Sequence, residues 1–203
     1  MNPWDERYSI ASFYYGTEPN DFLREHAEGV LGIKSQKKVL CLADGEGRNS
    51  VYLAQLGADA TAIDISEVGL AKAKQLANER AVQIKTEVAD LSAHTLAESE
   101  YDAIVMIFCH LPAAARPHLY QQIRRALKPN GWLLVEGYND QQLGRGTGGP
   151  PSLDLMINLT ELEQEFADYR VYHAKNVVRT IIEGEGHSGD GAVAQFIAQK
   201  PSA

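Results

Sequence analysis

Five short runs rich in Val, Ile, Leu and Ala recur along the first two-thirds of the sequence. Their spacing constrains the fold more than any other feature. They are Val39 to Leu42, Ala60 to Ile63, the weaker Ile84 to Val88, Ala103 to Phe108 and Trp132 to Val135, and their first residues lie 21, 24, 19 and 29 positions apart. Each interval accommodates a strand, a helix and two turns. Continuous apolar strands such as Ala103 to Phe108 suit a parallel sheet covered on both faces. The segments between them read as helices. Asn49 to Leu56 carries Val51, Leu53, Ala54 and Leu56. Ser66 is an N-cap for a helix running to Ala77, with Leu70, Ala73 and Ala77 on one face. A third helix is marked by Pro112 and Pro117, buries Leu119, Ile123, Ala126 and Leu127, and stops at Lys128-Pro129-Asn130-Gly131. Alternating strand and helix predicts an α/β fold with right-handed crossovers.

The last fifty or so residues break that pattern. Gly144 to Pro151 (GRGTGGPP) is a glycine-rich loop, and a short helix is predicted from Thr160 with Glu163 completing a capping box. Two extended runs follow, Tyr169 to Ile182 and Ala192 to Ala198, separated by EGEGHSGDG, which reads as an antiparallel hairpin. With 203 residues, 44% of them hydrophobic and 23% charged, the chain suits one domain around one core. We read it as a single domain over 1–203. It comprises an N-terminal lid over 1–35, a core over 36–138, the glycine-rich loop over 139–158, and a terminal helix and hairpin over 159–203.

Nineteen Lys and Arg against 27 Asp and Glu give a formal charge of -8 with no basic cluster, which argues against a nucleic-acid partner. No run approaches the roughly 18 consecutive apolar residues of a membrane span. The first residues carry Asp5, Glu6 and Arg7 rather than an apolar h-region, so no secretory signal is expected. Cys41 and Cys109 sit in apolar runs and make no disulfide framework, so the expected compartment is the cytoplasm. The six histidines show no metal-ligand spacing, neither cysteine belongs to a C-x-x-C pair, and the hydrolase and phosphate-loop motifs are missing. No metal is expected. Nothing in the strand pattern specifies an oligomeric state.

The segment VLCLADGEGRNSVYLA passes from a strand into a helix with Gly45 and Gly47 at the turn. Glycines there allow positive φ and close approach of a ligand to the backbone, and the helix N-terminus offers free N–H groups. Glycine turns are common, so this signal alone is weak. Asp64 ends the second strand, 17 residues after Gly47, where an acid can bind two ribose hydroxyls. Asp90 ends the third, where a carboxylate can accept the exocyclic amine of adenine. Three consecutive strands thus deliver suitable groups to one carboxyl edge, the ligand-binding edge of open α/β sheets. A G-x-G-x-x-G dinucleotide fingerprint is not met, because Ser50 stands three residues after Gly47, and the terminal hairpin leaves no second nucleotide-binding half. NAD is therefore disfavoured.

Glycine loop, ribose acid, adenine acid and terminal hairpin in this order resemble a class I S-adenosylmethionine (SAM) methyltransferase. The peptides WDERYS, YYGTEPNDFL, GEGRNSVYLA, FCHLP, LKPNGWLLVEGY, GGP and GHSGDGAVAQFIAQK resemble the small bacterial TehB-like tellurite-resistance and thiol methyltransferases. The resemblance covers nearly the whole chain. It implies a Rossmann-like sheet of seven strands in order 3-2-1-4-5-7-6, with SAM as cofactor and S-adenosylhomocysteine as product. It also implies cofactor contacts from Ala43, Gly45, Gly47, Asn49, Asp64, Ile65, Asp90, Leu91, Phe108 and Tyr15. Within this set Gly45 and Gly47 would lie under the methionine part, and Tyr15 with Gly16 would close over the cofactor. Two positions depart from the pattern: the family's acid in the first strand is Cys41, and its first loop glycine is Ala43. Ala43 is expected to keep a negative φ, because a Cβ makes positive φ costly.

Methyl transfer is an in-line displacement in which positioning and exclusion of water supply most of the effect. If the acceptor must lose a proton, His110 and His187 are the candidates, and Arg145 in the glycine-rich loop is the candidate cation for an anionic acceptor. Each histidine has a plainer reading, His110 as a helix cap and His187 as an exposed turn residue. Arg116 and Arg179 read as surface salt-bridge partners, and Arg48 as the partner of a nearby carboxylate. The expected acceptor is a small molecule, an oxyanion such as tellurite or selenite, or a thiol. The competing reading is a SAM- or S-adenosylhomocysteine-binding protein without catalysis.

Overall fold

The computed structural model describes residues 2–202 and contains a seven-stranded sheet in the order β3-β2-β1-β4-β5-β7-β6. The strands are β1 (Lys38–Leu42), β2 (Asp59–Asp64), β3 (Lys85–Val88), β4 (Tyr101–Ile107), β5 (Leu127–Tyr138), β6 (Arg170–Glu183) and β7 (His187–Gln199). Strands β1 to β5 pair in parallel, and β7 runs antiparallel between β5 and β6. The parallel sheet and the closing antiparallel hairpin match the reading of the sequence pattern, and the strand order is the one the family resemblance implies.

Alternation along each central strand feeds two cores. Leu40 and Leu42 of β1, Ile104 and Met106 of β4, and Leu133 and Val135 of β5 pack on one face, against α5 (Arg116–Ala126) and α6 (Leu159–Glu165). Their neighbours Val39, Cys41, Val105 and Leu134 pack on the other, against α2 (Asp21–His26) and α3 (Arg48–Gln55). Both faces are covered, which is why these strands read as unbroken apolar runs. Helix α4 (Glu67–Glu79) begins at Ser66, whose hydroxyl accepts the Gly69 N–H, as expected of an N-cap. A further helix, α1 (Pro3–Tyr8), lies against α4.

Two local expectations are corrected. Helix α6 starts at Leu159, and its cap is Asn158, whose side chain accepts the Glu161 N–H. The proposed capping box at Thr160 and Glu163 therefore does not form, because Asn158 already satisfies the first turn. The hairpin turn is also shorter than EGEGHSGDG: β6 runs to Glu183, β7 begins at His187, and the two residues pair across Gly184 to Gly186. The glycines beyond His187 belong to the strand. His187 is consequently a strand residue, only 6% exposed, and not an exposed turn residue.

Candidate active site

A cavity of about 630 Å3 opens at the carboxyl edge of the sheet. The loops after β1, β2, β3 and β4 form its floor, the segment from Asn2 to Gly16 covers one side, and Gly148 to Pro151 close another. The placement follows from the topology, since every parallel strand ends at this edge.

The glycine loop is built differently from its sequence reading. Ala43, Asp44, Glu46, Arg48 and Asn49 line the cavity, whereas Gly45 and Gly47 do not. Gly47 caps α3 with φ +84°, and a Cβ there would lie 2.5 Å from the Cβ of Ala73 in α4. Its smallness lets α3 and α4 approach one another. Gly45 donates its N–H to Asp64 Oδ2 at 2.8 Å. Ala43, expected to keep a negative φ, has φ +52°. The turn imposes the left-handed conformation on an alanine, at a cost of about 1–2 kcal/mol. Phe108, the residue after β4 at the cavity wall, is left-handed too, with φ +49°.

The acids differ in their commitments. Asp64 is 5% exposed, and its oxygens accept the N–H groups of Gly45 and Ser66, both at 2.8 Å. Burial pushes its pKa up against those hydrogen bonds. Asp90 is exposed, and its hydrogen bonds to Ser92 hold its carboxyl below the usual range. It follows β3 by two residues rather than ending it, and with Ile65 and Leu91 it lines the cavity near Trp4. Asp44 accepts the Ser50 N–H on Oδ2 at 3.2 Å, while its buried Oδ1 has no partner. Desolvation pushes Asp44 up to about 6. Cys41, where the family carries an acid, is buried in the sheet and kept as a thiol by desolvation.

His110, His187 and Phe108 line the same cavity. His110 Nδ1 lies 2.9 Å from the Leu155 carbonyl, so Nδ1 carries the proton and Nε2 is left as a buried lone pair without a partner. Desolvation lowers its pKa to about 4, so the ring is neutral at pH 7. The His187 ring lies 4.2 Å from that of Phe108 and 4.5 Å from that of Tyr15, centroid to centroid. Its Nδ1 is 3.7 Å from Glu183 Oε2, an ion-pair separation rather than a hydrogen bond, and desolvation lowers its pKa as well.

Behind His187 lies a buried polar network that sequence reasoning missed. Arg48 bonds Glu183 at 2.6 Å, Arg179 bonds both Glu136 and Glu183, and Asn20 donates to both carboxylates. Arg48 pairs with a carboxylate as expected, but Arg179 is no surface residue. Nor is Arg116, which makes two 2.9 Å bonds to Glu161 and donates to the carbonyls of Leu111, Asp154 and Met156. It ties the loop before α6 to the cavity rim. Arg145 stands outside the cavity, donating to the Gln141 carbonyl at 2.8 Å. The only sequence signals for the network were isolated charges within apolar strands, such as Glu136 in LLVEGY.

Tyr15 reaches the cavity from the N-terminal segment. Its N–H donates to Glu46 Oε2 and its hydroxyl accepts from Arg7. Lys72 of α4 pairs with Glu46 and donates to the carbonyls of Tyr8, Ile10 and Ser12, fastening the segment down. Asn49 accepts the Asn20 N–H at 3.0 Å, so its side chain is partly committed to structure. Among the described residues no His, Cys, Asp and Glu cluster could hold a metal ion, and no helix is long and apolar enough to cross a membrane.

A family model described as a methyltransferase domain matches residues 39–131. A probable SAM-dependent methyltransferase, TehB of Haemophilus influenzae, is 32% identical over 105 residues, covering 51% of this chain and 36% of the relative. Hemagglutinin 1 of Eikenella corrodens is 24% identical over 217 residues, covering 99% of this chain and 70% of that protein. The crystal structure of Haemophilus influenzae TehB superposes with a TM-score of 0.70 at 21% identity, covering 97% of this chain and 65% of the other. The sheet order and the solved neighbours give the fold of class I methyltransferases, and the methyltransferase domain model matches just under half of the chain. The chain resembles TehB in the matched segment and in its fold. It spans about a third of the length of the TehB sequence it matches.

Proposed function

We propose that this chain transfers a methyl group from SAM to a small-molecule acceptor. The observation that carries the reading is the lining of one cavity, which brings together carboxylates that follow the first three strands, neutral imidazoles and aromatic rings. The residues fit the cofactor. Asp64 and Ile65 face the ribose position, and Asp90 and Leu91 the adenine. When bound, SAM supplies a methyl group on a positively charged sulfur, open to in-line attack.

The chain's own residues then position the acceptor. Phe108, Tyr15 and His187 form an apolar wall that excludes water from the attacking atom. His110 borders the acceptor's place as a neutral ring, fixed at Nδ1 by the Leu155 carbonyl. With a pKa of about 4 it is too weak a base to keep the acceptor's proton at neutral pH, so a thiol loses that proton to water and attacks as the thiolate while the sulfonium carbon–sulfur bond breaks. The charge balance favours a thiol over an oxyanion. Of the cavity's arginines, Arg48 is committed to Glu183 and Arg7 to the Tyr15 hydroxyl, and Arg145 stands outside. Four carboxylates, Asp44, Glu46, Asp64 and Asp90, against the two arginines Arg7 and Arg48 leave the cavity a poor host for tellurite or selenite.

The test is formation of S-adenosylhomocysteine from SAM with a panel of small thiols, tellurite and selenite. The expected outcome is turnover with a thiol, reduced when His110 is replaced by Ala. Cofactor binding without turnover on any acceptor would support the non-catalytic reading instead.

A further inference from the structure

We propose that the acceptor is a thiol with an apolar, uncharged body, an aryl or alkyl thiol rather than a charged one such as cysteine or glutathione. The proposal rests on the reading of this cavity as a SAM site that methylates a thiol, and it narrows the class of that thiol.

The lining divides by charge along the chain. Arg7 comes from the N-terminal segment, and Asp44, Glu46, Arg48, Asp64 and Asp90 come from the loops after β1, β2 and β3 and the start of α3. The lining that comes from the loop after β4 and from residues 148–155 holds no charged side chain among the described residues. Phe108, Leu111, Pro112, Pro150, Pro151 and Leu155 supply its bulk. Its titratable members are neutral at pH 7: burial lowers His110 to about 4 and pushes Cys109 up to about 12.

These residues form one wall. His110 Nδ1 lies 2.9 Å from the Leu155 carbonyl, and Arg116 donates to the carbonyls of Leu111 and Asp154, so the two segments are fastened side by side. The Phe108 ring lies 4.2 Å from that of His187, centroid to centroid, and a Cβ on Gly148 would stand 3.2 Å from His187 Cδ2. Both segments therefore border the same imidazole. The charges beside the wall are already engaged. Arg116 does not line the cavity and is committed to Glu161, and Asp154 accepts the Ala113 N–H. With the acid-bearing loops given to the cofactor, this wall is the uncharged surface left for the acceptor.

The chemistry sets what such a wall can take. Attack by a thiolate forms a carbon–sulfur bond to the methyl group while the sulfonium carbon–sulfur bond breaks, its electron pair staying on the departing sulfur. The thiol proton has already gone to water. The acceptor's one negative charge thus meets one positive charge. A second charge, on the acceptor's body, would meet only proline, leucine and phenylalanine, and burying it unpaired is costly. An apolar body instead gains by leaving water.

The experiment compares initial rates of S-adenosylhomocysteine formation by the full chain with para-thiocresol and para-mercaptophenylacetate, which differ by one carboxylate remote from sulfur, and with glutathione. The expected kcat/KM is at least about 10-fold higher for para-thiocresol than for either charged thiol. Leu155→Lys leaves the carbonyl beside His110 in place and puts an ammonium on the wall. It should raise kcat/KM for para-mercaptophenylacetate and lower it for para-thiocresol. Leu155→Ala should lower kcat/KM for para-thiocresol by about 10-fold. Unchanged affinity for S-adenosylhomocysteine reports that each variant is folded with its cofactor site intact. Equal kcat/KM for the two aryl thiols in the wild type, or a preference for a charged thiol, would overturn the proposal and leave thiol methylation standing. If the wild type binds S-adenosylhomocysteine yet methylates no thiol, the reading beneath the proposal fails and the proposal falls with it.

Discussion

Replacing Gly47 by Ala separates two explanations of the glycine loop. If Gly47 were there to let the cofactor approach the backbone, the change would weaken binding and leave stability nearly untouched. The structure says otherwise. The residue sits at φ +84°, where an L side chain costs about 1–2 kcal/mol. The added Cβ would meet Ala73 Cβ at 2.5 Å and Ala73 Cα at 2.8 Å, on a helix that cannot yield cheaply. Overpacking of this kind adds about 1–3 kcal/mol, for a total of about 2–5 kcal/mol. Urea denaturation followed by circular dichroism measures the loss. Ala73→Gly in the same chain should cost about 1 kcal/mol alone. In the Gly47→Ala background it should restore part of the stability, giving a coupling of about 1–3 kcal/mol. A loss below about 1 kcal/mol, or strictly additive effects, would refute the reasoning.

Other outcomes follow from the same geometry. Arg48→Met leaves Glu183 buried without its shortest partner and should cost about 3–5 kcal/mol in urea denaturation. Asp44 has a folded pKa of about 6 against 3.8 for an unperturbed aspartate, so the stability it contributes is full below pH 4 and lost as pH rises through 6. Asp44→Asn should therefore be more stable than the wild type at pH 7 and not at pH 4; equal stability at both would contradict the desolvation. Glu183, held down by Arg48 despite its burial, works in the opposite sense, stabilising above its ordinary range and failing as pH falls. His110 should stay neutral down to about pH 5, so its Cε1–H proton resonance should not move between pH 8 and 6.

Much of the fold was legible because each central strand is buried on both faces, and unbroken runs such as Ala103 to Ile107 admit few other structures. Strand β3 was the weak signal for the converse reason: its residues Lys85 to Val88 are largely exposed at the sheet edge. The hairpin turn was misjudged because glycines read as turn formers. Here Gly189 and Gly191 instead give close passage past Thr147, Ile181 and Tyr138 within a strand. Within the site, strand ends located Asp64 and His110, since topology alone carries them to the carboxyl edge. Arg145 shared a loop with cavity residues, but a loop's sequence does not say which side chains turn inward. The ion network of Arg48, Glu136, Arg179 and Glu183 was invisible because, apart from the local Arg179–Glu183 pair, its bonds join residues 43 and 135 positions apart. Ala43 shows that the turn, rather than its occupant, sets the backbone: the left-handed conformation persists although its glycine is missing.

The central claim is that this cavity binds SAM. Calorimetric titration of the purified chain with SAM and S-adenosylhomocysteine, with NAD as control, tests it most directly. The account predicts saturable binding of the first two, none of NAD, and marked weakening by Asp64→Ala. Folded protein that binds neither, or that prefers NAD, would contradict it.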